Sequence, residues 1–250
     1  MRKRETDFLK PKMRGYLRIA VLLAGVAGMP TLSHAGIVTV PAGLPVGTQY
    51  RLVFVTYNTY QATSITIGDY NTDVGYDVAD SAQLTGLAVS WDAIVSTATN
   101  KGIDNIGDAL AVPVYNLAGQ EVAAGVGGSG LCGGALTSPI DVDEYGNTDS
   151  PTQQVWTGSG YACGNGAGNT LGLSTPFFGY AGSITYNGWI QNLSTNPVTQ
   201  DTTYLPLYAI SGILTVASPE PHASLLILLG GVVMILLRRP LYRGPDTMPR

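Results

Sequence analysis

"QYRLVFVTY", residues 49–57, decides the fold of this 250-residue chain. Its β-branched and aromatic side chains recur at period two, the pattern of a strand that fits a pleated, half-buried surface. Upstream, "GIVTVPAGLPVG" (36–47) is a short strand broken by Pro41 and Pro45, which suits an edge or a lead-in. Downstream, Thr66 with Asp69 resembles a helix N-terminus, and Ile67, Tyr70 and Val74 fall at helical spacing, so a helix is predicted over 65–82. "LAVSWDAIVSTATN" (87–100) reads as a strand with Trp91 facing the core. "VPVYNLAGQEVA" (112–123) reads as a hairpin turning at Ala118-Gly119. Residues 125–170 concentrate Gly, Ser and Asn and are predicted to be mainly loop, interrupted by the strand "QVWTG" (154–158). "FFGYAGSITYNGWIQN" (177–192) and "YLPLYAISGILTVAS" (204–218) supply closing strands. The sum is one β-rich α+β domain over residues 36–217.

Charge narrows the partners. Between Gly36 and Pro219 the basic residues are Arg51 and Lys101, facing 13 acidic ones. Nucleic-acid binding needs lysines and arginines to displace counterions from phosphate, so that class is excluded. Acidity of this kind serves solubility and self-repulsion. The chain's two histidines, His34 and His222, lie outside the 36–217 domain. Ser-His-Asp and Cys-His catalysis and the usual catalytic zinc sites are thereby removed. Neither a GxSxG nor a GxxxxGK[ST] motif occurs. Carboxylate chemistry alone stays open, and no two acids are marked as partners, so no catalytic residue and no cofactor is assigned.

The ends read as addresses. Basic residues precede "IAVLLAGVAGM" (19–29), and "TLSHAG" follows, so residues 1–35 are expected to be a signal peptide cleaved between Ala35 and Gly36. Met13 begins a segment of more usual signal length and is an alternative start. At the other end, Pro219-Glu220-Pro221 precedes an uncharged run, Ala223 to Leu237, followed by Arg238 and Arg239. That run is about 22 Å long as a helix and spans a bilayer with thinning or snorkelling. The arginines hold residues 244–250 on the cytoplasmic side, leaving the domain outside. Cys132 and Cys163 both fall in the exported part, where a pair is expected to form a disulfide. Its loop of about 30 residues is worth roughly 3–4 kcal/mol.

"DVDEYGNTD" (141–149) is the segment most like a metal site. Asp141, Asp143, Asn147 and Asp149 resemble the front of a calcium loop, but Tyr145 occupies an expected ligand position and Thr152 stands where a bidentate Glu belongs. An Asx-rich surface turn accounts for it more simply, with calcium as the alternative. Trp91, Trp156 and Trp189 read as core residues rather than a sugar-stacking platform, with "VWTG" and "NGWIQN" placed as core strands.

Pro219-Glu220-Pro221, the oily run and the Arg238-Arg239 cluster (together 218–243) closely resemble the PEP-CTERM sorting signal of Gram-negative bacteria that make exopolysaccharide. The resemblance implies export across the inner membrane, signal peptidase and exosortase as processing enzymes, and a destination in the envelope, at the cell surface or in the matrix. The tail "PLYRGPDTMPR" is longer than the family's usual basic stub. "YRLVFVTYNTYQATSITIGDYNTDV", "WDAIVSTAT", "VPVYNLAGQEVA", "PIDVDEYGN", "VWTG" and "LPLYAISGILTVASPEP" resemble, in order, a group of PEP-CTERM ectodomains. The order of elements is more distantly similar to C-type-lectin-like domains, although the Glu-Pro-Asn and Trp-Asn-Asp sugar-binding motifs are missing. The implied function is a non-catalytic envelope or extracellular-matrix protein with a link to exopolysaccharide or biofilm. The alternatives are a glycan-binding module using residues 125–170 and, less favoured, a carbohydrate-active enzyme.

Overall fold

The computed structural model describes residues 36–192, 199 and 202–218. The expected signal peptide up to Ala35, the Pro219-Glu220-Pro221 motif, the run 223–237 and Arg238-Arg239 lie outside the described residues. Among those described, no helix is long and apolar enough to cross a membrane. In chain order the elements are β1 (Gln49–Val55), α1 (Ile67–Asp80), α2 (Ala82–Thr85), β2 (Trp91–Ala93), α3 (Gly102–Ile106), β3 (Val114–Asn116), β4 (Glu121–Ala123), β5 (Gln154–Trp156), β6 (Phe178–Tyr180), α4 (Tyr186–Ile190), β7 (Tyr208–Ser211) and β8 (Leu214–Thr215).

β1 is the middle of the main sheet, whose order is β2-β7-β1-β3-β4. It runs antiparallel to β7, with Val53 opposite Ile210, and parallel to β3, with Arg51 opposite Val114. β8 adds antiparallel pairing at its start, Tyr50 opposite Leu214. A parallel neighbour requires a long crossover, and α1, β2 and α3 supply it. Both faces of β1 are covered, so Leu52, Val53, Phe54 and Val55 are all apolar and buried, where the period-two reading expected a half-buried strand. Tyr50, Leu52 and Phe54 pack with Tyr70, Val74 and Val78 of α1 and with Trp91. Phe54 and Trp91 meet edge to face at 5.2 Å. Val53 and Val55 face the other way, among Ile94, Val114, Val122, Leu131, Trp189 and Tyr208. The product is an α+β domain with a helix on one side of a sheet and an irregular, glycine-rich layer on the other.

A disulfide, Cys132–Cys163, staples that irregular layer. Both cysteines are buried, and Cys163 and Ala162 hold positive φ (51° and 55°) in a tight turn. The polar exception on the second face of β1 is Arg51, whose Nε donates to the Ser211 carbonyl (2.6 Å) and Nη1 to the Ile106 carbonyl (2.7 Å). It ties the end of β7 to the end of α3. Burial lowers the Arg51 pKa, and the nearby Asp92 carboxylate opposes that shift.

Two expectations need correction. Residues 36–47 form no strand: Val38 N–H donates to the Leu117 carbonyl (2.8 Å), but Pro41 and Pro45 lack the donors for a ladder. "YNGWI" is the helix α4, not a strand, because the Thr185 carbonyl accepts from the N–H groups of Gly188 (2.9 Å) and Trp189 (3.2 Å). The turn brings its backbone so close to β6 that a Cβ on Gly179 would lie 1.7 Å from the Trp189 oxygen. Trp189 is still fully buried, as are Trp156 and, nearly, Trp91. The predicted hairpin is present as β3–β4, with Gly119 at φ +80° and Asn116 Oδ1 accepting from the Gln120 N–H (3.0 Å).

Candidate functional site

The strongest concentration of unusual chemistry lies where the end of α1, the segment after β1 and the 142–148 turn converge. α1 turns Tyr70, Val74, Asp77 and Val78 into the protein, so helical spacing carries one carboxylate inside with the apolar residues. Asp77 is fully buried and well supplied with donors. Its Oδ1 accepts from Asn58 N–H (3.2 Å) and Asn58 Nδ2 (2.9 Å), and its Oδ2 from the Tyr60 hydroxyl (2.5 Å). Burial and this bond to Asp77 push the Tyr60 phenol far above its ordinary range.

The second carboxylate arrives on a turn. Val142 bridges Thr148, and Asp143 shapes the chain between them. Asp143 Oδ1 accepts from the N–H groups of Tyr145 (2.9 Å) and Asn147 (2.8 Å), while Oδ2 accepts from Asn147 Nδ2 (2.9 Å). Gly146 supplies the left-handed position at φ +85°. This Asx-braced turn holds Glu144 inward, where it is 1 % exposed and its Oε2 accepts from Tyr57 N–H (3.0 Å). Oε1 has no hydrogen-bond partner. A buried polar atom left unpaired costs about 1–3 kcal/mol, and more when charged. Burial first, then the charges of Asp77 and Asp143, push Glu144 up to about 8, against the opposing N–H groups of Glu144 itself and Tyr57.

Glu144 and Tyr145 form one wall of a cleft of about 390 Å³ whose other wall is the α1–α2 junction, Asp80, Ser81, Ala82 and Gln83. The Tyr145 ring meets the exposed Tyr57 ring edge to face at 5.6 Å. A smaller cleft of about 310 Å³ opens beside Arg51, Asp92 and Asp108. Asp92 is pushed up by burial and held back by Arg51.

Of the calcium-like residues, Asp143 and Asn147 use their side chains on the turn itself. Asp141 accepts the Asp149 N–H through its backbone carbonyl (2.7 Å). Asp149 is pushed up to about 6 by burial, with Asp143 and Asp141 adding to the effect, and burial also raises Asp141. Among the described residues, no group of three or more His, Cys, Asp or Glu is arranged to hold a metal ion. The approach of Glu144 to Asp77 was not foreseen, since 67 positions separate them in sequence. The one available signal was that Asp77 shares the inward spacing of Tyr70 and Val74.

Chemically, Asp77 accepts three hydrogen bonds and braces the segment after β1. Glu144 carries its proton at neutral pH and has one buried oxygen without a hydrogen-bond partner. No family model matches this chain, and no curated protein matches it.

Proposed function

We propose that this chain is a non-catalytic exported protein of the bacterial envelope or extracellular matrix, delivered through a PEP-CTERM-type tail. The observation that carries the reading is the buried Cys132–Cys163 bridge. Such bridges persist in oxidising compartments and are rare in reducing ones. The bridge accords with the signal-like segment ending at Ala35 and with the Pro219-Glu220-Pro221, oily-run and Arg238-Arg239 series. Intact and peptide mass spectrometry on the native protein, from envelope and from medium, tests the reading. A mature N-terminus at Gly36 and a C-terminus near Pro219 to Pro221 are expected. A retained tail ending at Arg250 would overturn sorting by cleavage, and a retained N-terminal segment with reduced cysteines would overturn export.

A second reading, a glycan-binding module, is favoured by the cleft at Glu144 and Tyr145, which belongs to the 125–170 region. It combines a buried carboxylate, the polar side chains Ser81 and Gln83 and the Tyr145 ring, which meets the exposed Tyr57 edge to face. Saturable binding to the producing strain's exopolysaccharide, weakened by Tyr145→Ala, is the expected result. Catalysis is disfavoured because Asp77, whose charge acts on Glu144, already accepts three hydrogen bonds and is fully buried.

A further inference from the structure

We infer that the cleft beside Arg51 binds a small zwitterion, an α-amino acid with an apolar side chain, its carboxylate on the Arg51 guanidinium and its ammonium on Asp92. The inference stands apart from the glycan reading and adds a second ligand to the exported domain. Arg51 and Asp92 share one face of the sheet, on β1 and β2, with β7 between them: Val53 pairs with Ile210, and Ile210 pairs with Asp92. The Arg51 side chain reaches over the end of β7, where Nε donates to the Ser211 carbonyl, and Nη1 donates to the Ile106 carbonyl at the end of α3. Those two acceptors fix the guanidinium in the wall of a cleft of about 310 Å³.

One arm of the fork is left over. Arg51 is 3 % exposed, and its Nη2 makes no hydrogen bond among the described residues. Nη2 is not one of the sealed unpartnered atoms, a group that includes Glu144 Oε1 and the Tyr208 hydroxyl, so it opens on the cleft that Arg51 lines. A buried guanidinium is ordinarily paired. Here the opposite charge is near without touching. Asp92 and Arg51 each favour the other's charged form against burial, yet among the described residues no ion pair joins them. Two separated charges of opposite sign, a fork of donors and a pair of acceptors, leave room for a ligand that carries both charges in the reverse order.

The rest of the lining selects among ligands. A simple anion gains Arg51 but meets the Asp92 and Asp108 carboxylates, and a simple cation meets Arg51. Asp108 lies against the chain at Gly127, where an added Cβ would come 1.8 Å from its Oδ1, so this second carboxylate has a fixed place. A neutral amide reaches both Arg51 and Asp92, but with charge on one side of each bond instead of both. A zwitterion makes a fully charge-assisted hydrogen bond at each end. Ile106, Ala109 and Ile213 supply an apolar wall for its side chain, and Ile213 is half-exposed there. The volume is at the lower end of small-ligand sites, which suits a single amino acid.

The test is calorimetric titration of the purified full-length chain, at neutral pH, with L-valine, with isovalerate, which lacks the ammonium, and with L-valinamide, which lacks the carboxylate. L-Valine is expected to bind about tenfold or more tighter than either analogue. Asp92→Asn, at a half-buried side chain, is expected to weaken valine about tenfold and to leave isovalerate unchanged or tighter. Should that variant fail to fold, as its urea midpoint would show, the comparison of the three ligands on the wild type decides alone. Equal binding of valine and either analogue, a preference that survives Asp92→Asn in the folded variant, or no binding of valine overturns the inference and leaves the envelope reading standing.

Discussion

Replacing both cysteines by alanine isolates what the Cys132–Cys163 bridge contributes. The bridged positions are 31 residues apart. Loop-closure entropy, −2.1 − 1.5R ln n, gives about 12 cal/mol/K for this loop, or about 3.7 kcal/mol at 25 °C. Each buried sulfur removed adds about 0.8 kcal/mol on the scale of a methylene. One term opposes these. Ala162 and Cys163 both sit in the left-handed region, at about 1–2 kcal/mol each, and a freed turn recovers part of that cost. The expected net loss is about 3–5 kcal/mol, a large share of the roughly 5–15 kcal/mol of a typical domain. Urea unfolding of the oxidised wild type and of the Cys132→Ala/Cys163→Ala variant measures it. Hydrogen exchange then locates it. The amides of Leu131 and Cys132, which donate to Gly125 and Val126, lose protection first, while those of β1 paired with β7 keep theirs. A difference under about 1 kcal/mol, or equal loss of protection in β1, would refute the view that the bridge is the staple of the glycine-rich layer.

Three further perturbations probe other parts of the argument. Glu144 has a raised native pKa, about 8, so the folded state binds its proton more tightly than the unfolded chain does. Its contribution is full below the unfolded value near 4.5 and is lost as pH rises towards 8, with Asp149 adding a loss up to about 6. Urea midpoints are therefore expected to fall from pH 5 to 8, and Glu144→Gln to flatten the slope between pH 6 and 8; an unchanged slope would contradict this. Gly179→Ala forces a Cβ against the Trp189 carbonyl, 1.7 Å away, and is expected to cost about 3 kcal/mol or more by urea unfolding. Arg51→Met keeps the buried stem but leaves the Ser211 and Ile106 carbonyls without their charged donor. A loss of about 2–3 kcal/mol is expected, again by urea midpoint.

How much of this was legible depended on the range of the interactions that decided each element. β1, α1 and the β3–β4 hairpin are written in local periodicity and turn chemistry. "QYRLVFV" carries strand residues throughout, Ile67, Tyr70 and Val74 share a helix face, and Gly119 takes the positive φ its turn demands. α4 was misread because "YNGWI" has no helical stripe long enough to show. Its turn is imposed by the Thr185 carbonyl and by the gap that Gly179 leaves on β6. The role of Arg51 was equally hidden, since its acceptors come from residues 55 and 160 positions away. The candidate site is the extreme case. "DVDEYGNTD" announces a polar turn, and Asp143 with Asn147 closes it as such residues do. Nothing in that segment indicates that the same closure drives Glu144 inward, towards a helix carboxylate 67 positions earlier. Asp143 braces the turn and Asp77 braces the segment after β1, so both of these acids are already committed to the chain around them. Glu144 instead keeps one buried oxygen without a hydrogen-bond partner, a contrast with Asp77 and Asp143 that composition does not show.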